Sequence, residues 1–190
     1  KSMEVNFEQS DCVSCGACAQ ACPTSAISDV FESKSILFDK KVRTVCTYCG
    51  VGCNLDVAVN AGTIKSIQAP YDAEANGGHT CLKGRYAFSF YNHPERLRTP
   101  LIKKNGEFVE ASWDEAYDFI ANKLTQIKKE HGPDAIAGIS SARCTNEENY
   151  IMQKFIRAVI GTNNIDSCAR VCHSPTAIGM QRTFGTGAAT

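Results

Sequence analysis

Cys46-Thr47-Tyr48-Cys49-Gly50-Val51-Gly52-Cys53, closed after 27 intervening residues by Cys81-Leu82-Lys83-Gly84-Arg85, is the stretch that decides how this chain folds. One tight loop supplies three thiols and a returning segment supplies a fourth, which gathers four soft donors around one point. The gap between them is readable. Leu55, Val57 and Val59 alternate, Asn60-Ala61-Gly62 turns the chain, and Ile64 to Ile67 runs back as the partner strand.

A second framework lies upstream: Cys12-x2-Cys15-x2-Cys18-x3-Cys22-Pro23. Spacings of two let one loop surround a cluster corner on three irons, and a fourth cysteine before proline turns away to ligate the other cluster in two-cluster ferredoxins. Residues 1 to 11 hold no cysteine. Either Cys22 completes a lone cluster, or a partner motif precedes Lys1; a start without Met favours the second. Zinc is disfavoured for the first framework because paired C-x2-C knuckles are expected for it. In the second, Lys83 and Arg85 beside four thiolates favour a reduced cluster, and a lysine there reaches an anionic cofactor on its far side. Disulfides are disfavoured because a secreted scaffold this rich in cysteine is usually far shorter.

Composition removes other classes. Twenty basic residues balance twenty acidic ones, so no electrostatic argument supports nucleic acid or an anionic membrane as partner. The apolar runs are too short to span a bilayer, and Lys1-Ser2-Met3-Glu4-Val5 lacks secretory and twin-arginine patterns. These features point to a reducing, cytoplasmic setting. The start at Lys1 and the stop at Gly187-Ala188-Ala189-Thr190, straight after a patterned segment, lead us to expect a chain cut at both ends.

The remainder reads as α/β. Glu32 to Arg43 is a charged connector, with a boundary near Lys40-Lys41. Leu101 to Val109 forms a second hairpin around Lys104-Asn105-Gly106, and Ser112 and Glu115 open a helix whose inward face is Ala116, Phe119, Ile120, Leu124 and Ile127. Gly132-Pro133 stops it. Ala135 to Ser140 is a buried parallel strand, Thr145 and Glu148 cap a helix with Tyr150, Ile151, Phe155, Ala158 and Val159 inward, and Asn164-Ile165-Asp166 is the returning strand. Ligands of such a βαβ unit sit in the loops at the strands' carboxyl ends, which makes Arg143 and Asn146 candidate cofactor contacts. Cys144 and Cys168 read as packed thiols, and His79 and His93 as ordinary loop residues.

With Cys46 to Arg85 in view, and Ser140-Ser141-Ala142-Arg143-Cys144-Thr145-Asn146-Glu147-Glu148-Asn149-Tyr150 leading to Cys168-Ala169-Arg170-Val171-Cys172-His173-Ser174-Pro175, the chain resembles the catalytic subunit of molybdenum- or tungsten-dependent formate dehydrogenases, from about Gln9 onward. The resemblance implies three parts: a ferredoxin-like module at 1–40, a small β-rich [4Fe-4S] domain at 41–100, and the beginning of an α/β molybdopterin-binding domain at 101–190. It implies that Cys172 ligates a metal held also by two pterin guanine dinucleotides, that His173 assists proton or charge handling, and that Lys83 lies between cluster and pterin. Formate and carbon dioxide would be the substrate pair. Electrons would leave through the cluster of Cys46, Cys49, Cys53 and Cys81 and then that of Cys12, Cys15 and Cys18, with or without Cys22, toward an NAD-linked flavoprotein, a hydrogenase module or a ferredoxin. The family's subunits are far longer, so 190 residues alone are not expected to hold the whole cofactor.

Three rivals share parts of this pattern. A non-catalytic iron–sulfur subunit of respiratory complex I would not be expected to keep both Lys83 and Cys172-His173. A nitrate reductase of the same superfamily is disfavoured by Arg170-Val171 before the ligand and His173 after it. A short ferredoxin-like carrier has no use for the residues beyond Cys81.

Overall fold

The computed structural model describes residues 5–6, 9–31 and 37–187; Lys1 to Glu4, Phe7 and Glu8, the first residues of the connector at 32–36, and Ala188-Ala189-Thr190 lie outside the described residues. The chain divides into two compact units, one ending at Arg96 and the other starting at Leu97.

The first unit is organised by a three-stranded antiparallel sheet, β1 Lys40–Val45, β2 Asn54–Asn60 and β3 Thr63–Gln68, in the order β1-β2-β3. The hairpin expected after Cys53 is present, turned by Ala61 and Gly62, both at positive φ. A bulge at Ala58/Val59 absorbs a shift in register. Leu55, Val57 and Ile67 meet Cys46 and Phe88 in the buried core. The buried Cys46 thiol is therefore part of the hydrophobic core.

The connector reading fails at its carboxyl end, because Lys40–Val45 is a strand. Its side chains are all exposed, so burial does not hold it. The antiparallel ladder to β2 does, with ion pairs added to it: Arg43 stands opposite Asp56 and meets it through Nε at 2.9 Å and Nη2 at 3.3 Å, Nη1 reaches Asp72 at 2.8 Å, and Lys41 Nζ lies 3.3 Å from Asp56. The hydrogen bond from Arg43 holds the Asp56 carboxyl below its ordinary range. Asp56→Asn is expected to cost about 1 kcal/mol near neutral pH. A depressed carboxylate contributes fully above the unfolded value, near pH 3.9, and loses its contribution as pH falls through the folded one. Urea midpoints of the two proteins should therefore differ at neutral pH and converge below about pH 3.9.

Among the described residues three short α-helices complete this unit: α1 Ala17–Ala21, α2 Leu82–Tyr86 and α3 Ser89–Asn92. Asn92 clips the edge of β3 by donating to the Ile64 carbonyl at 2.8 Å and accepting from the Ile64 amide at 3.1 Å. That pair satisfies edge groups that would otherwise be open to another strand.

The second unit opens with the predicted hairpin, β4 Leu101–Lys104 and β5 Glu107–Glu110, turned at Asn105 and Gly106. Helix α4, Trp113–His131, follows; Ser112 Oγ accepts from the Glu115 amide at 3.1 Å, while the Glu115 carboxylate goes to Lys104 at 2.7 Å. Strands β6 Gly138–Ser140 and β7 Ile165–Ser167 pair in parallel. Between them run α5, Asn146–Lys154, and a π-helical turn, Phe155–Ile160, ended by Gly161 at φ 89°. This is the expected βαβ unit. Helix α6, His173–Phe184, comes last.

The helix faces differ from expectation. Of the face proposed for α4, Ala116 is buried and Leu124 packs on the core, but Phe119 and Ile120 are about half exposed. After α5 the core is made by Ile156 and Ile160, each 3% exposed, together with Ile136, whereas Tyr150, Ile151 and Val159 are more than half exposed. An apolar residue on each side of a helix leaves periodicity undecided, and the π turn shifts the register that a 3.6-residue count assumes. The strand Ala135 to Ser140 is also shorter than expected, since Pro133–Ala135 is a 3₁₀ turn and Ile139 is exposed.

Candidate cluster and cofactor sites

Backbone pairing assembles the second cysteine framework. The Val45–Asn54 register is continued by Cys46, whose amide donates to the Cys53 carbonyl at 2.8 Å, so the ladder itself brings these two cysteines face to face with Cys49 in the loop between. Asn76 returns the fourth. Its side-chain amide accepts from the Asn54 amide at 2.8 Å and donates to the carbonyls of Asn54 and His79 at 3.1 and 2.6 Å, tying the segment before Cys81 to the start of β2. Burial pushes the Cys46 and Cys53 thiols up, and Cys49 and Cys81 add to the rise in both. The four sulfurs thus share one electrostatic neighbourhood.

Gly84 is the cradle of this site. A Cβ there would lie 2.2 Å from Thr80 Oγ1 and 3.6 Å from Cys46 Sγ, so the absent side chain lets α2 close over the cysteines. Lys83, one residue earlier, is exposed. Among the described residues no three His, Cys, Asp or Glu side chains converge to hold a single ion. Ligands of a polynuclear cluster attach to separate iron corners and need no such convergence. Four coupled thiols around a glycine-floored cradle fit an iron–sulfur cluster.

In the first framework Cys12 and Cys18 are exposed, and Cys15 and Cys22 are half-buried. Gly16 at φ 75° opens α1, which carries Cys18 and leads into Cys22. Hydrogen bonding from the Ile27 amide, then the Thr24 hydroxyl and the Thr24 and Ala26 amides, holds the Cys22 thiol down at about 7. A thiol so cradled is readily present as the thiolate that binds metal. The loop does not stand free of the sheet: Gln20 donates to the Ala69 carbonyl at 2.6 Å and accepts from the Ala69 amide at 3.0 Å, and Phe31 packs on Phe88 at 5.0 Å.

The second unit holds a cleft of about 390 Å³ at the carboxyl ends of β6 and β7, where a βαβ unit takes its ligand. Ser140, Ser141, Asn149, Gln153, Arg157, Asp166 and Ser167 line it. Arg143 and Asn146 are exposed and do not line it; the Arg143 amide donates to Ser141 Oγ at 3.1 Å, and Asn146 is the first residue of α5. Sequence reasoning looked at the loop and missed the helix face behind it, where Asn149, Gln153 and Arg157 recur every four residues. Asn149 also shapes the loop, accepting from Ser140 Oγ and the Ser141 amide and donating to the Thr145 carbonyl. Thr145 and Glu148 form the predicted reciprocal cap.

Cys172 and His173 sit at the entry to α6, both exposed. The Cys172 amide donates to the carbonyls of Cys168 and Ala169 at 3.2 and 3.3 Å, which fixes the backbone and leaves the thiol outward. Cys168 is instead half-buried, with Sγ 3.2 Å from Ser141 Oγ at the cleft. Arg170 is paired with Asp166 at 2.8 Å, which couples the segment before Cys172 to the cleft wall.

A β-rich four-cysteine domain followed by a βαβ unit with a polar cleft and an outward cysteine defines a class, and the comparisons agree with it. Residues 96–189 match the molybdopterin oxidoreductase family, residues 39–93 the molybdopterin oxidoreductase Fe4S4 domain, and residues 5–28 the 4Fe-4S binding domain. The chain belongs to the molybdopterin oxidoreductases, a family of iron–sulfur and molybdenum- or tungsten-pterin proteins. It is 40% identical, over 97% of its length, to the Staphylococcus aureus (strain MRSA252) protein named "Putative formate dehydrogenase", and 39% identical to the Bacillus subtilis (strain 168) protein named "Probable oxidoreductase YjgC". The chain spans 23% of each of those relatives. Among solved structures it is similar to acetylene hydratase from Pelobacter acetylenicus, with a TM-score of 0.54 and 25% identity over 74% of this chain and 20% of that one. No helix among the described residues is long and apolar enough to cross a membrane.

Proposed function

We propose that this chain is the amino-terminal, cluster-bearing part of a cytoplasmic formate dehydrogenase that interconverts formate and carbon dioxide. The observation that carries the reading is the combination of a coupled Cys46–Cys49–Cys53–Cys81 site with an outward Cys172-His173 pair beside a polar βαβ cleft. Relatives named for formate support it at 40% identity.

In this reading residues 1–40 act as a ferredoxin-like module, 41–100 as the [4Fe-4S] domain and 101–190 as the start of the pterin domain. A metal–pterin centre, when bound, supplies the two-electron chemistry that no amino-acid side chain provides. Cys172 holds that metal through a soft thiolate. His173, exposed beside it, is the imidazole placed to take up or hand on a proton there. Asn149, Gln153 and Arg157 give the cleft donors and one positive charge suited to an anionic cofactor. Lys83 stands next to the second cluster site as a cation facing outward. The cysteines of the two frameworks would hold iron–sulfur clusters, which would supply one-electron chemistry toward a separate acceptor subunit or ferredoxin.

Acetylene hydratase, by its name, adds water, so the family fold does not by itself choose a redox reaction. The deciding experiment uses the purified full-length protein. Molybdenum or tungsten found alongside iron, with formate-dependent viologen reduction, upholds the proposal. Iron without either metal leaves a non-catalytic electron conduit, and acetylene hydration without formate oxidation replaces the reaction.

A further inference from the structure

Arg85 is 2% exposed, and its guanidinium lies between the two cysteine frameworks. It belongs to α2, the helix that starts directly after Cys81, yet Nε donates to the Cys15 carbonyl at 2.8 Å and Nη1 donates to Gln20 Oε1 at 2.6 Å. The same Gln20 oxygen accepts from the Ala69 amide. One cation therefore joins the loop of the first framework, the helix of the second, and the segment after β3.

The approach is built for. A Cβ on Gly16 would lie 2.5 Å from Arg85 Cδ and 2.1 Å from the Tyr86 hydroxyl, so glycine at this positive-φ position admits the arginine to the cysteine loop. Nη2 is buried and has no hydrogen-bond partner among the described residues. A buried cationic N–H without an acceptor costs the full desolvation of that group, and structures rarely tolerate it. Nε holds the guanidinium at the Cys15 loop, and an iron–sulfur cluster on that loop, whose cysteinyl and inorganic sulfurs carry negative charge, has the chemistry of an acceptor for it.

We infer that Arg85 is the positioning residue of the relay: it fixes the first cluster against the second and donates through Nη2 to a sulfur of the cluster on Cys12, Cys15 and Cys18. A buried positive charge there favours the reduced cluster, which carries one more negative charge than the oxidised form. Two hydrogen bonds from one rigid fork also fix the loop's distance from α2, which a lysine cannot reproduce.

This inference rests on the cluster assignment and not on formate as substrate, so its test omits formate. Full-length protein, purified without oxygen, is titrated with dithionite and followed by EPR, alongside Arg85→Met and Arg85→Lys. The signal of the first cluster is identified by its loss in Cys15→Ala. With iron content unchanged, Arg85→Met should shift that cluster's one-electron reduction equilibrium about tenfold toward the oxidised form, about 59 mV, and should weaken its magnetic interaction with the second cluster. Arg85→Lys should restore most of the equilibrium but not the interaction. An unchanged or opposite equilibrium in iron-replete Arg85→Met overturns the inference. Should Arg85→Met lose its iron, Arg85→Lys decides, and a wild-type magnetic interaction in that variant overturns it.

Discussion

Cys172→Ser in the full-length protein should lose formate-dependent dye reduction by more than about a hundredfold while keeping its iron. The scale follows from ligand chemistry: removing even an outer partner of a metal ligand costs 10- to 100-fold, so replacing the soft donor itself costs at least the upper end of that range. Structural collapse is an unsuitable explanation for such a loss, because the Cys172 side chain is exposed and the segment is fixed by its backbone amide instead. Dye reduction and bound molybdenum or tungsten, measured on the same preparation, check the outcome. Wild-type activity in Cys172→Ser removes the residue from the role of metal ligand.

Cys46→Ala should do something different in kind. Cys46 is 6% exposed and packs with Leu55, Val57, Ile67 and Phe88, so the substitution removes a cluster ligand and opens a gap in the core at once. Metal binding in such a site is folding free energy, because the unfolded chain does not hold the ligands together. We expect the protein to lose about four iron atoms and the first unit to lose more than about 4 kcal/mol of stability, the range reached when a metal site is destroyed. Cys12→Ala is the control. Cys12 is exposed, and its loss should cost iron without melting the sheet. Iron analysis with limited proteolysis of the β1–β3 region separates the two. Equal protease resistance in Cys46→Ala and wild type, with iron lost, argues against a ligand that also supports the fold.

Much of this was legible because its determinants are local. Asn60-Ala61-Gly62 and Asn105-Gly106 turn as their dihedral preferences require, and Thr145 with Glu148 caps a helix through groups three residues apart. The errors fell where a distant partner decides. Lys40–Val45 carries no buried side chain and reads as a connector until Asp56 and Asp72 supply its counter-charges. Helix α5 and the π turn after it carry apolar residues on opposite sides, and only the packing of Ile136 selects Ile156 and Ile160 over Tyr150 and Val159. The cleft residues Asn149, Gln153 and Arg157 carry no motif; they become a set only when β6 and β7 pair and leave one helix face open above their ends.

The sequence by itself determined the spacing of the two cysteine groups, and it determined the hairpins and the βαβ order, since turn and cap chemistry acts within a few residues. Tertiary structure alone decided how the two cysteine frameworks are joined. Arg85 meets Cys15 across 70 residues and Gln20 across 65, contacts that no local pattern encodes. They exist because a buried guanidinium must find acceptors, and folding places those acceptors on the neighbouring cysteine loop.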